Sequence, residues 1–157
     1  MDPVKYRSIT DRYIDSVYKA ALSCSRCRED AEDAVQTAFL KLLKTDTEFT
    51  DDEHVKRWLI RVAVNECKSG FRSFWHRNKV SFDDLDVEPS YRDETHSELL
   101  GTLAKLPQNY RAVIHLYYYE GYDVRETAEI LGISESNVQI RLMRARKKMK
   151  ELLETEA

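Results

Sequence analysis

Side chains that can read nucleic acid are concentrated on one predicted helix near the C-terminus. The outward positions of this segment hold Ser136, Asn137, Gln139, Arg141 and Arg144. Hydroxyl, amide and guanidinium groups of this kind hydrogen-bond to base edges and phosphates in the major groove. Residues 141–150 are basic and contain no acid. Four of them fit the role of phosphate neutralisers: Arg146, Lys147, Lys148 and Lys150. The chemistry that this pattern predicts is DNA binding, although a basic solvated helix face is the simpler alternative.

The residues before this helix predict the turn that would position it. Val124, Ala128 and Leu131 recur at helical spacing and face inward. Gly132 follows where the chain must turn tightly, and Ser134 is a suitable N-cap for the next helix. A small residue at a helix crossing, a turn glycine and a cap in this order predict a helix-turn-helix.

A second basic segment lies in the middle of the chain. Residues 68–79 contain Lys68, Arg72, Arg77 and Lys79 and no acid. Aromatic side chains beside such cations can hold extruded bases at ~1–3 kcal/mol per stacked base. Three aromatic residues are available here: Phe71, Phe74 and Trp75. Their spacing is also that of a buried face, so we assign Phe71 and Phe74 to the core and leave both readings of Trp75 open.

The elements that must carry these segments are predicted to be helices. Glycine and proline are scarce, at four and three residues, and apolar stripes recur at three- and four-residue steps. Residues 79–95 lose this periodicity and are rich in acids. We therefore predict an all-α protein with helical domains at 1–78 and 96–157 and a flexible acidic linker at 79–95. Although the net charge is −3, one basic patch lies before the linker and another lies after it.

Several other classes of protein are disfavoured by the sequence. No apolar run reaches the ~20 residues of a membrane span, and the first residues lack the core of a signal peptide, so we expect a cytoplasmic protein. Cys24 and Cys27 form a lone C-x-x-C with no second pair at ligand spacing, which favours small apolar residues over a redox or zinc site. We expect no metal, cofactor or small-molecule substrate. The sequence also lacks a recognisable pair of nucleophile and base, so we do not expect an enzyme.

Three segments together resemble a known family. They are DAEDAVQTAFLKLLK from Asp30, VKRWLIRVAVNECKSGFR from Val55, and the stretch from Leu106 to Leu153 that contains the helix-turn-helix. In this order they resemble the extracytoplasmic-function (ECF) RNA polymerase sigma factors of the sigma-70 family, over roughly four fifths of the chain. The resemblance implies a sigma2-like helical bundle and a sigma4-like helix-turn-helix domain. It also implies a transcription initiation factor without catalytic activity.

The resemblance further implies partners and site residues. Core RNA polymerase would be bound through its β′ and β subunits, with Glu32, Asp33 and Gln36 facing the β′ clamp helices. The unwound −10 promoter strand would contact Asn65, Lys68, Arg72, Trp75 and Arg77. The −35 element would contact Ser136, Asn137, Gln139, Ile140, Arg141, Arg144, Lys147 and Lys148. An anti-sigma factor is a further expected partner.

The sequence departs from the family pattern at three positions. Ser69 replaces an acid that relatives often carry, and Gln139 and Ile140 replace a basic and a small polar residue. A promoter consensus therefore cannot be borrowed from relatives.

One alternative function is a helix-turn-helix regulator that is not a polymerase subunit, and another is an interaction protein that does not read DNA. The acid-free patch at 141–150 argues against the second.

Overall fold

A computed structural model describes the backbone of residues 1–78 and 98–156 and the side chains of residues 1–68 and 101–155. Within the described residues the chain is helical and contains no strand, which confirms the predicted all-α class. The predicted linker at 79–95 lies outside the described residues.

Seven α-helices are present in the described ranges. They are α1 (Pro3–Cys24), α2 (Arg28–Lys44), α3 (Asp52–Asn78), α4 (Glu98–Ala104), α5 (Gln108–Ile114), α6 (Val124–Leu131) and α7 (Glu135–Glu156). The end of α5 continues into a π-helical turn, His115–Tyr119. In this turn the amide of Glu120 donates to the carbonyl of His115 at 3.0 Å, the five-residue step that defines a π-turn.

The first three helices pack into a bundle. Asp2 caps α1 by accepting a hydrogen bond from the amide of Val4 at 3.0 Å, and Pro3 occupies the first turn. Acids begin α2 and lysines end it, as the helix dipole favours. The centre of the bundle is apolar and is formed by residues such as Val17, Ala20, Ala38, Leu42, Leu59 and Ile60. The α3 helix runs through Gly70 without ending there.

The C-terminal helices form a second bundle. Its apolar interior includes Leu106, Val113, Leu116, Val138, Leu142 and Ala145. The helix α7 packs against α5 and α6, so its inner face is fixed by both. This leaves the opposite face of α7 open to solvent.

The two bundles also contact each other. The helix α1 packs against α5, and α3 packs against α6. Arg111 of α5, with an exposed fraction of only 2%, reaches the end of α1. Buried residues of both bundles form a single cluster. Each half thus buries surface against the other, in addition to burying its own core.

Candidate nucleic-acid interface

The turn between α6 and α7 has the predicted helix-turn-helix geometry. The α6 helix begins with a reciprocal capping box, in which the Asp123 carboxylate accepts from the Glu126 amide at 2.8 Å. It ends at Gly132, whose φ of 67° lies in the left-handed region that glycine adopts without steric cost. The hydroxyl of Ser134 then accepts from the amide of Asn137 at 3.1 Å and caps α7. The predicted cap and turn glycine are confirmed.

The helix α7 separates apolar and polar side chains onto opposite faces. Val138, Leu142 and Ala145 are buried against α5 and α6. Seven of the eight sequence-predicted −35 residues are exposed on the other face: Ser136, Asn137, Gln139, Ile140, Arg144, Lys147 and Lys148. The eighth, Arg141, is half-buried at the edge of this face. The structure thus brings the whole predicted set together on one side of a helix.

A cleft of about 360 Å³ runs beside the recognition face. On one side it is lined by four of the predicted residues, Asn137, Ile140, Arg141 and Arg144. On the other side Pro107, Asn109 and Tyr110 at the start of α5 complete it. Sequence reasoning did not associate these three residues with the recognition face, because they precede it by about thirty positions and carry no charge. The lining holds two guanidinium groups and no acid, so the cleft favours an anion.

Arg146 is held in place by aromatic side chains. Its Nε donates to the hydroxyl of Tyr118 at 2.6 Å, and its guanidinium lies 5.5 Å from the centre of the same ring. The sequence placed Arg146 among the basic residues of this helix but gave no signal for its tyrosine partner. The contact fixes the guanidinium beside the π-turn.

The predicted −10 residues all lie on α3. Asn65 is exposed, whereas Lys68 is half-buried and its Nζ donates to the carbonyl of Leu131 at the end of α6. The side chains of Arg72, Trp75 and Arg77 lie outside the described residues, as do those of Phe71 and Phe74. Lys68 therefore contacts the C-terminal bundle, a partner that the sequence did not indicate.

The predicted polymerase-binding residues share the solvent face of α2. Glu32, Asp33 and Gln36 are all exposed, while Ala34 and Val35 between them are buried. Leu43 follows the buried Leu42 and continues the three- and four-residue apolar spacing of this helix. It is 44% exposed, and Leu40 is 56% exposed, so the C-terminal half of the face is partly apolar.

The cysteines and histidines form no ligand site in the described part of the chain. No group of three or more residues able to hold a metal ion occurs there. Cys24 and Cys67 are buried, and burial raises the pKa of both thiols, which keeps them protonated. His115 is buried as well, and burial, reinforced by the charge of Lys19, lowers its pKa to about 3. The carboxylate of Glu120 lies 3.9 Å from its Nε2, beyond hydrogen-bond distance, so burial dominates and the ring is neutral.

Comparison with known proteins accounts for both bundles. Residues 9–77 match the family described as Sigma-70 region 2, and residues 96–149 match Sigma-70, region 4. The ECF RNA polymerase sigma factor SigM of Bacillus subtilis is 31% identical over 153 residues, which cover 92% of this chain and 92% of that protein. The chain belongs to the ECF sigma factors.

Other relatives and solved structures agree with this assignment. The ECF sigma factor SigL of Mycobacterium tuberculosis is 32% identical over 144 residues, covering 87% of this chain and 81% of the relative. The fold of this ECF sigma factor is similar to that of RpoE of Bartonella quintana, solved with the anti-sigma factor NepR, with a TM-score of 0.71, 22% identity and coverage of 98% and 99%. It is also similar to CnrH, solved with the cytosolic domain of CnrY, with a TM-score of 0.64, 24% identity and coverage of 99% and 92%.

As an ECF sigma factor, the protein directs RNA polymerase to promoters and binds both the core enzyme and promoter DNA. This membership does not favour the alternative of a regulator that acts without being a polymerase subunit. None of the helices in the described ranges is long and apolar enough to cross a membrane.

Proposed function

We propose that this ECF sigma factor reads the −35 element with the outer face of α7, captures the −10 strand with the end of α3, and binds core polymerase with the outer face of α2. The domains would be residues 1–78 and 96–157, with the linker at 79–95 between them. The protein would act in the cytoplasm without catalysing a reaction. The observation that carries the proposal is the outer face of α7, where the whole predicted −35 set shares one side of a capped helix.

The −35 assignment follows from the size and chemistry of α7. An α-helix with its side chains is ~10–12 Å wide and fits the major groove of B-DNA, which is ~12 Å wide. Asn137 and Gln139 are exposed in the first turn and a half of the helix, where recognition helices meet base edges. Arg144, Lys147 and Lys148 follow about two to three turns after Asn137 and suit phosphate contacts.

The −10 assignment is supported by position and charge. Asn65 and Lys68 lie on α3 ahead of Arg72, Trp75 and Arg77, so cations and an aromatic platform follow one another along one helix. A single strand tracks such a basic surface through its phosphates and stacks its bases on aromatic rings.

The core-binding assignment depends on exposure. Two acids and a glutamine of α2 are exposed beside each other, and exposed carboxylates can pair with basic residues on a partner surface. The partly apolar surface around Leu40 and Leu43 would extend the contact toward the end of α2. The β′ clamp helices are the proposed partner.

An anti-sigma factor is a further proposed partner. RpoE, whose fold this chain shares, was solved with the anti-sigma factor NepR. We expect a protein of that class to bind this chain also and to cover its polymerase-binding or DNA-binding surfaces.

The experiment that tests the proposal is reconstituted transcription. Purified chain is added to core RNA polymerase with promoters from the same genome, and transcripts are mapped at their 5′ ends. The expected result is specific initiation that core alone does not support, and weaker initiation with Asn137→Ala. Lys5→Ala, an exposed residue on α1, is the matched control and should initiate normally. Initiation by the wild-type chain that Asn137→Ala leaves unchanged would contradict the −35 assignment.

A further inference from the structure

An apolar side chain lies at the centre of the outer face of α7. Ile140 is 41% exposed, whereas Val138 and Leu142, two positions before and after it, are buried. Because a helix has about 3.6 residues per turn, two positions correspond to a rotation of about 200°. Ile140 therefore points almost directly away from both buried side chains, on the line of α7 that is most remote from the core of the C-terminal bundle.

The neighbours of Ile140 on this face are mostly polar. Residues three and four positions apart adjoin each other on a helix, and Ser136, Asn137 and Arg144 stand at these steps from Ile140. All three are exposed. The fourth neighbour, Met143, is apolar and 60% exposed. Ile140 lines the cleft beside the recognition face together with Asn137 and Arg144, so it is continuous with the proposed −35 interface.

The chemistry of the major groove limits what such a side chain can contact there. The groove is ~8.5 Å deep, and its base edges present hydrogen-bond donors and acceptors and one apolar group, the C5 methyl of thymine. Isoleucine has no group that hydrogen-bonds. Its contact with a donor or acceptor would remove water from that group without replacing the lost hydrogen bond, which is unfavourable. Its contact with a methyl group buries apolar surface, which is favourable.

We infer that Ile140 packs against the C5 methyl group of a thymine in the −35 element and selects thymine at that position. This inference rests on the proposed function, which places the outer face of α7 in the major groove. The flanking side chains of Asn137 and Arg144 contact neighbouring groups of the DNA, so the thymine lies within the contacted sequence and not beyond its edge.

Replacement of thymine by uracil tests the inference, because uracil lacks the C5 methyl and keeps the hydrogen-bonding groups of thymine. The probe is a duplex of a promoter at which core polymerase with this chain, the holoenzyme, initiates transcription. Each thymine of the −35 element, on either strand, is replaced in turn, and competition binding measures the affinity of holoenzyme for each duplex. Ile140→Ala is compared with the wild type. The matched control is Ile14→Ala, the same truncation of a side chain on α1 that is 40% exposed.

For the wild type and for Ile14→Ala, we expect uracil at one thymine of the element to weaken binding by roughly 4-fold, the effect of one methyl-sized group that loses its apolar contact. In holoenzyme with Ile140→Ala, the same uracil should have little effect, because the partner of the methyl group is absent and the two changes are not additive. Alanine favours helices and Ile140 is exposed, so we expect this variant to fold, which circular dichroism checks.

Three results would overturn the inference: a −35 element without thymine, unchanged binding with uracil at every position, or an equal effect of uracil in Ile140→Ala and in the wild type. A loss of affinity in Ile140→Ala that is the same for thymine and uracil duplexes would also overturn it, because Ile140 would then contact polymerase or another group of the DNA. If the wild-type holoenzyme binds no promoter, the proposed function fails, and the inference fails with it.

Discussion

The Nε of Arg111 donates a hydrogen bond of 3.1 Å to the carbonyl oxygen of Ser23, across 88 positions of sequence and between the two bundles. The same guanidinium reaches Ser25, so one fork satisfies two carbonyls at the end of α1. A buried arginine is stable only when its donors are paired, because desolvation of an unpaired charge is costly. The stability of the C-terminal bundle is therefore coupled to that of α1.

Arg111→Lys should lower the free energy of unfolding by about 2 kcal/mol, because an ammonium group is a point charge that cannot reproduce a planar fork on two carbonyls. Urea denaturation followed by circular dichroism measures the loss. Arg12→Lys, in an exposed ion pair, should change stability little. Equal stability of Arg111→Lys and wild type would show that the guanidinium fork contributes nothing beyond its charge.

Acid should destabilise the protein through His115. Its pKa is lowered from the ordinary 6.5 to about 3 by burial, so the unfolded chain takes up the proton first. His115 therefore contributes fully to the free energy of unfolding above pH 6.5. This contribution is lost as the pH falls toward 3, by up to ~1.4 kcal/mol per pH unit. Denaturation of wild type and His115→Gln across this range isolates the effect from that of the carboxylates. If the free energies of unfolding of wild type and His115→Gln changed with pH in the same way, this would contradict a neutral, buried His115 ring.

Two glycines should respond oppositely to alanine. Gly132→Ala should cost about 1 kcal/mol, because φ is 67° there, although a Cβ would meet only Lys68 Nζ at 3.7 Å. Gly101 lies within α4, where a Cβ would meet nothing within 4 Å, so Gly101→Ala should stabilise the helix by about 0.5–1 kcal/mol. Thermal unfolding measures both. Stabilisation by Gly132→Ala would mean that the turn does not need its left-handed residue.

Arg144→Ala should weaken binding of holoenzyme to promoter DNA and reduce the slope of log affinity against log salt by about 1, because one phosphate contact and its released counterion are lost. Titrations at several salt concentrations measure the slope, and Lys5→Ala should leave it unchanged. An unaltered slope in Arg144→Ala would remove this residue from phosphate contact.

Reversing the charge of Asp33 should weaken binding to core polymerase by ~10-fold and leave the DNA contacts of the C-terminal bundle intact. Fluorescence anisotropy of Asp33→Lys against core polymerase measures the loss. Asp11→Lys, on the exposed face of α1, makes the same change of charge away from α2. Wild-type affinity in Asp33→Lys, or an equal loss in Asp11→Lys, would argue against the assignment to α2.

The helix-turn-helix was predictable from sequence because its signals are local. A cap, a turn glycine and an apolar stripe act within a few residues, and Ser134, Gly132 and Val138 behave as their types predict. Leu43 departs from its stripe because apolar periodicity does not show where a bundle ends. The hydrogen bonds of Lys68 and Arg111 could not be predicted from the sequence, because a lone cation does not indicate which distant carbonyl will accept from it.

The π-turn at His115–Tyr119 sets the direction of the last side chains of the helix that begins as α5. It accommodates one residue more than an α-helical turn, and this places Tyr119 over the ring of His115 while Tyr118 faces Arg146. Deleting a single residue here would restore regular winding and turn the downstream side chains by about 100°. The tyrosine that steadies Arg146 would then face elsewhere. Insertions and deletions at this turn can therefore change how Arg146 is held on the basic face of α7, although every residue of that helix stays unchanged.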